Sequence, residues 1–215
     1  MAQPMDHAVP ATPAQQARYD RVLAAATEIL IADGAEAIQM KELAQRARVS
    51  LATLYRYFPS KDYLLLALSL ARYQEAARKV RTEVPRGDSV RERVTNHLLR
   101  EFGAERRDQR LTLSLVQALR ETRRGYSPML ETIEHLHLQI VSHVAAAGGR
   151  LSEQQQKVLS VVIDIFTAAT RLWLAGVFSV ADAEFQIKTG CELLDVPDDM
   201  VAAELERAAP DTRVR

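Results

Sequence analysis

Cysteine is nearly absent from this chain: Cys191 stands alone among 215 residues, which excludes an intramolecular disulfide framework and makes a reducing cytoplasm the simplest compartment. Cys191 itself reads as a small apolar residue on a helix. Net charge is absent too, since 28 basic and 28 acidic residues cancel, so global charge gives no argument for a nucleic-acid partner. Residues 1–14, with Pro4, Pro10 and Pro13, lack the basic start and apolar run of a secretory signal and read as a flexible arm. No strand-like alternation, internal repeat or low-complexity tract occurs. There is no Glu-x-x-His metal pattern, no phosphate-cradling glycine loop, and no Cys/His or Ser/His pair in a recognisable context. No catalytic residue, metal or cofactor is therefore expected. His135, His137 and His143 do not bring two imidazoles together at i, i+4, which argues against a metal site on their helix. An enzyme in a helical bundle is the rival class, with Asp164, Arg171, His137 and Glu131 available but in no catalytic pattern.

Apolar residues are plentiful, at 47 % of the chain, enough for a packed core and incompatible with a disordered chain. Their periodicity is helical throughout. Val22, Ala25, Ala26, Ile29 and Leu30 form one stripe, ended by Asp33-Gly34, where Gly34 is expected in a left-handed conformation. Met40, Leu43, Ala44 and Ala47 form a second at i, i+3, i+4, i+7. Only Arg48, Val49 and Ser50 separate it from a third short helix over Leu51–Phe58, closed by Pro59. Ser50 is placed to cap that helix. At about 100° per residue, Leu51, Leu54, Tyr55 and Phe58 share the arc expected to pack, and Ala52, Thr53, Arg56 and Tyr57 the arc expected to meet a partner. Two helices joined by so short a turn make a helix-turn-helix, whose second helix enters the DNA major groove. Local charge agrees: residues 38–61 hold Lys41, Arg46, Arg48, Arg56 and Lys61 against Glu42 alone, the concentration of positive charge that phosphate attraction requires. Arg18 and Arg21 at the end of the arm make only a thin case for a minor-groove contact.

Residues 18–63 resemble the N-terminal DNA-binding domain of the TetR (tetracycline-repressor-like) transcriptional regulators, through Arg21, Gly34, Leu43-Ala44, Val49-Ser50, Leu54-Tyr55-Arg56-Tyr57-Phe58 and Lys61, in order and in spacing. The resemblance implies that Lys41, Leu51, Ala52, Thr53, Arg56 and Tyr57 approach bases or the adjoining backbone, and that Tyr55 and Lys61 grip phosphate. Ser50 and Arg48 complete the expected DNA-facing set. The family often has Gly where this chain has Arg48, which implies either a positive φ costing ~1 kcal/mol or an altered turn, and leaves the Arg48 charge free for a phosphate. It often has Ser or Thr where this chain has Gln39, a poor N-cap.

Beyond residue 60 the expected helices run from Lys61 to about Glu83, from a Ser89-Val90-Arg91-Glu92 capping box, from Asp108 to Arg123 with Gly125 as breaker, from Ser127-Pro128 to Gly148-Gly149, from a Ser152-Glu153-Gln154-Gln155 box through Phe178, and from about Asp182 to Leu194. The expected fold is all-α: residues 15–60 as the helix-turn-helix domain, 61–209 as a helical ligand-binding and dimerisation domain, and 210–215 as a tail. In the long helix, Ser160, Asp164, Thr167 and Arg171 form one polar stripe amid an otherwise apolar circumference, so burial on nearly all sides is expected. A membrane span is rejected because Asp164 and Arg171 would each cost ~3 kcal/mol or more in lipid. The family resemblance implies instead that helices within 152–194 pair with those of a second subunit. The polar stripe is then left to face ligand, partner or solvent. Residues placed to line a ligand cavity are Phe102, Leu115, Leu119, Tyr126, Met129, His137, Phe166 and Trp173, each of which serves equally as core. Basic side chains are scarce on these apolar faces, which favours a mainly apolar effector, lipid-, sterol- or aromatic-derived. A loose similarity of the segment from Trp173 to Leu194 to regulators of lipid and steroid catabolism points the same way. The resulting expectation is a homodimeric repressor released from a partly palindromic double-stranded operator by such an effector. The alternative is a helix-turn-helix protein controlled by a protein partner.

Overall fold

The structure, a computed structural model, describes residues 10–122 and 128–208. Among these residues it holds ten α-helices and no strand: α1 (Pro13–Asp33), α2 (Met40–Arg46), α3 (Leu51–Tyr57), α4 (Lys61–Val80), α5 (Val90–Arg107), α6 (Gln109–Thr122), α7 (Pro128–Ala146), α8 (Glu153–Leu174), α9 (Val180–Cys191) and α10 (Asp198–Ala208). The all-α expectation holds.

Most helix boundaries follow local chemistry. The Thr12 side chain accepts from the Gln15 N–H and Pro13 occupies the first turn, so α1 begins inside the stretch read as an arm. Gly34 ends α1 with φ 82° and ψ 178°, an extended mirror conformation reserved for glycine rather than the left-handed helical one expected. Ser152 and Ser179 open α8 and α9 with complete capping boxes. The box at α5 is shifted: Ser89 Oγ accepts from Glu92 N at 3.1 Å, but the Glu92 carboxylate accepts from Asp88 N at 2.8 Å. Helix α4 stops at Val80, short of Glu83. Helix α8 stops at Leu174 rather than Phe178, because Gly176 turns the chain at φ 71° and the N–H groups of Val177 and Phe178 both bond Leu172 O. Helix α10 has no counterpart in the expected set. Gly125, Tyr126 and Ser127 lie outside the described residues.

Two compact units emerge, one built from the chain up to Glu75 with Ala104–His135, the other from Ala76–Gly103 with the chain from Leu136 onward. The first encloses a core in which Val22, Ala26 and Leu30 of α1, Leu43 of α2 and Leu54, Tyr57 and Phe58 of the α3 segment meet Leu64 and Leu68 of α4 and Leu111, Leu115 and Ala118 of α6. Burying each large aliphatic side chain contributes ~1.5–3 kcal/mol. Helix α6 is also tied to the end of α1: Ser114 Oγ accepts from Ala35 N at 3.2 Å, and the Arg110 guanidinium donates to Ala32 O. The second unit centres on Val94, Leu98 and Phe102 of α5, Val141 and Ala145 of α7, Leu159, Val162, Phe166 and Ala169 of α8, and Ala183, Ile187 and Cys191 of α9. There α8 and α9 pack closely at Gly190, where an added Cβ would sit 2.9 Å from Ile165 Cγ2. Cys191 is buried, as its apolar reading requires.

Helix α8 is not buried on nearly all sides within one chain. Ser160, Asp164 and Arg171 are exposed, and Val161 beside them is 48 % exposed. The polar stripe therefore lies on an open side of the helix.

Candidate nucleic-acid interface

The α2–α3 turn is where the sequence departs from the family pattern it resembles, and the structure shows how the departure is accommodated. Arg48 adopts φ 53°, the left-handed conformation that glycine takes without cost. Arg48 N donates to Gln45 O at 3.1 Å and Val49 N to Ala44 O at 3.0 Å, so the turn closes fully on α2 despite the strain. Gln39 makes no side-chain cap at the start of α2. Arg21 Nε donates to Ala47 O at 3.3 Å, so this arginine braces the turn from α1. Ser50 Oγ accepts from Thr53 N at 3.1 Å and shares a hydrogen bond of 2.8 Å with Thr53 Oγ1. The expected cap is present, and both hydroxyls are engaged with each other.

The packing arc of α3 is rotated from the expected one. Leu54, Tyr57 and Phe58 are buried, whereas Leu51 and Tyr55 are 40 % and 45 % exposed. The outward arc is therefore Leu51, Ala52, Tyr55 and Arg56, with Thr53 half-buried at its margin. Tyr57, expected on the partner face, is only 1 % exposed. The cause is aromatic: Tyr57 packs edge-on against Tyr19 at 5.8 Å between centroids and lies 6.3 Å from Phe58, which itself sits 4.7 Å from Tyr19. Such pairs contribute ~0.5–1.5 kcal/mol each beyond area burial, more than the helical period alone can set against them. Burial, and secondarily the nearby Asp20, pushes the Tyr19 hydroxyl up to about 12.

Tyr57 still reaches the outer face through its hydroxyl. Arg56 Nη2 donates to Tyr57 Oη at 3.3 Å, and the Arg56 Cζ lies 5.2 Å from the Tyr57 ring centroid. The guanidinium is held from behind by a core side chain while Arg56 remains exposed. Lys41 and Arg46 are exposed on α2, and Arg48 on the turn that leads into α3. Lys61 is half-buried, and its Nζ donates to Ala35 O at 3.1 Å, so its charge supports the loop after α1. The arrangement is a cationic face with one oriented guanidinium and an apolar edge, which can neutralise phosphates and read base edges.

The residues expected to line a ligand cavity separate into two groups. Leu115 is buried in the first unit's core and Met129 packs against that core. Phe102, His137, Phe166 and Trp173 belong to the second unit, where Phe102 stacks edge-on with Trp173 at 5.3 Å and His137 with Phe166 at 5.8 Å. The Leu119 side chain and the whole of Tyr126 lie outside the described residues. Two residues absent from the expected set join this cluster. Glu101 Oε2 lies 3.4 Å from His137 Nε2 and 3.7 Å from His97 Nε2. Their signal was present in the sequence as His97 and Glu101 at i, i+4 flanking the Val94-Leu98-Phe102 stripe. Among the described residues no group of three or more His, Cys, Asp or Glu side chains could hold a metal ion. No described helix is long and apolar enough to cross a membrane.

A three-helix head with a capped, outward-facing recognition helix defines a helix-turn-helix DNA-binding regulator. The sequence model for bacterial regulatory proteins of the tetR family matches residues 22–68. The chain is 31 % identical over 181 residues to the HTH-type transcriptional repressor KstR of Rhodococcus jostii, covering 84 % of each protein, and 28 % identical over 181 residues to KstR of Mycobacterium tuberculosis, covering 84 % of this chain and 82 % of that one. The crystal structure of a TetR transcriptional regulator from Rhodococcus sp. RHA1 superposes with a TM-score of 0.73 at 30 % identity, over 85 % of this chain and 97 % of the other. The chain belongs to the TetR family of DNA-binding transcription regulators, which are not enzymes.

Proposed function

We propose that this protein is a homodimeric repressor that holds a partly palindromic operator through two copies of α3 and releases it when the second unit binds a mainly apolar small molecule. The observation that carries the reading is the outward arc of Leu51, Ala52, Tyr55 and Arg56 on α3, set among Lys41, Arg46 and Arg48. Arg56 supplies the guanine-reading group, the apolar edge of Leu51 and Ala52 suits thymine methyls, and Lys41, Arg48 and the Tyr55 hydroxyl supply phosphate contacts. Ser50 and Thr53 position the helix start. In this division of labour residues 15–60 contact DNA, 61–209 bind effector and partner, and the protein acts in the cytoplasm.

Dimerisation is supported by what one chain leaves uncovered. Val161 of α8 and Phe185 of α9 are 48 % and 63 % exposed, and a twofold interface would cover the same residues in both copies. The effector reading is supported by the aromatic content of the second unit, in Phe102, Phe166 and Trp173. Control requires that the effector bind the state that does not fit DNA more tightly, since equal affinity would shift nothing. The test is a titration of lipid, sterol and aromatic metabolites against the operator complex. Release of operator by any of them supports the reading, and effectors that bind without changing DNA affinity contradict it.

A further inference from the structure

The open face of α8 carries its charges in a symmetric arrangement. At about 100° per residue, Asp164, Ala168, Arg171 and Ala175 fall within one narrow arc of the helix, with Ser160 and Val161 at its two margins. All are exposed except Ala168, which is half-buried. Asp164 and Arg171 stand two turns apart on this arc with opposite signs, and neither side chain makes an ion pair or hydrogen bond among the described residues. Lys157 shares the arc at the same spacing on the other side of Asp164, but its Nζ already lies 2.9 Å from Glu153 Oε1. One acid and one base, at equal distances from a midpoint and both without an ion-pair partner in their own chain, are self-complementary. Under a twofold axis the contact of the first with the second is made twice, once in each direction.

Resting on the homodimer reading above, we propose that α8 packs antiparallel against α8 of a second copy with the twofold axis between Thr167 and Ala168, so that Asp164 of each copy pairs with Arg171 of the other. Each charge then lies about 5 Å along its own helix from the axis, within reach at the common helix crossing angles. Ala168, beside the axis, has only a methyl group to hold the two helices apart. Val161 and Ala175 come level with each other at about 10 Å from the axis, so a large side chain that is 48 % exposed in one chain meets a small one. A partner lacking this alternation of sign sets like charges opposite each other, which is strongly unfavourable and rejects it. The polar stripe of α8 thus selects a second copy of this chain.

The experiment uses the full-length protein with Asp164→Arg and Arg171→Asp, made separately. The first variant carries two positive charges on the arc and the second two negative ones, so each homodimer repeats a like-charge contact twice. Sedimentation equilibrium should show each homodimer weakened about a hundredfold or more, with helical circular dichroism unchanged because both positions are exposed. Mixed in equal amounts, the two variants should pair with each other well above the share expected of random mixing, as native mass spectrometry reads directly, because every charge again meets its opposite. A contact within one chain cannot produce that rescue. Asp164→Asn and Arg171→Gln give the same test without reversed charge: the double variant should lose little more dimer affinity than either single one. Single reversals that dimerise like wild type, random mixing, or rescue of Asp164→Arg by Lys157→Asp in place of Arg171→Asp overturns this register. A wild type that dimerises regardless of these substitutions keeps the homodimer reading without this contact, whereas a wild type that stays monomeric removes the homodimer reading itself.

Discussion

Replacing Tyr57 by Phe removes one oxygen from the core and should be felt mainly at the DNA. The ring stays in place, so its contacts with Tyr19 and Phe58 and the 5.2 Å approach of the Arg56 guanidinium remain. What disappears is the acceptor that holds Arg56 Nη2 at 3.3 Å. A hydrogen bond to a charged group contributes ~1.5–3 kcal/mol at best. This one is longer than the usual 2.7–2.9 Å and its donor is exposed, so ~0.5–1 kcal/mol is expected. That loss corresponds to about a two- to fivefold rise in operator Kd. Because water can take the place of the lost acceptor at Arg56, the melting temperature should barely change. The decisive form is a double-mutant cycle, with operator affinity measured for wild type, Tyr57→Phe, Arg56→Ala and the double variant. If Tyr57 acts by orienting Arg56, the phenylalanine has no further effect once Arg56 is gone. An equal loss in both backgrounds, or no loss in either, refutes the orienting role.

The other expectations are simpler. Lys41→Ala should weaken binding to all sequences alike and reduce the slope of log affinity against log salt by about one. Gly190→Ala should destabilise the protein by ~1 kcal/mol, the ~1–3 kcal/mol of overpacking against Ile165 less ~1 kcal/mol gained in helix propensity, and trimming Ile165 to Ala should remove most of the clash, as thermal melts of the pair would show. Phe185→Glu should shift sedimentation equilibrium toward monomer, and a wild type that stays monomeric at high concentration contradicts the dimer. His97 is held below its ordinary value by burial, so the unfolded chain takes up its proton first as pH falls; stability should drop below about pH 6.5, and His97→Gln should flatten part of that drop in pH-dependent melts.

The head was legible because its signals are local: the stripes of α1 and α2, the three-residue turn, and the Ser50 cap each depend on neighbours a few positions away. The rotation of α3 was not, because Tyr57 is drawn inward by Tyr19, a ring 38 positions earlier on α1, and no local period contains that contact. The same limit explains the candidate ligand residues. Leu115 and Phe166 look alike as apolar positions on helices, yet they belong to different cores. Helix α10 went unread because charged residues dominate its start and no strong cap announces it. The cluster at Glu101 needed α7 brought against α5, although the i, i+4 pairing of His97 with Glu101 beside an apolar stripe was visible in advance.

Selection of genomic fragments by the full-length protein, followed by anisotropy on the recovered DNA with wild type and Arg56→Ala, tests the central claim most directly. The account predicts an inverted repeat whose two halves are each read by one α3, a loss of ~1–3 kcal/mol per bidentate guanine contact in the variant, and a Kd that rises steeply with salt. Recovery of no specific sequence, or equal affinity of wild type and Arg56→Ala for the recovered DNA, would contradict it.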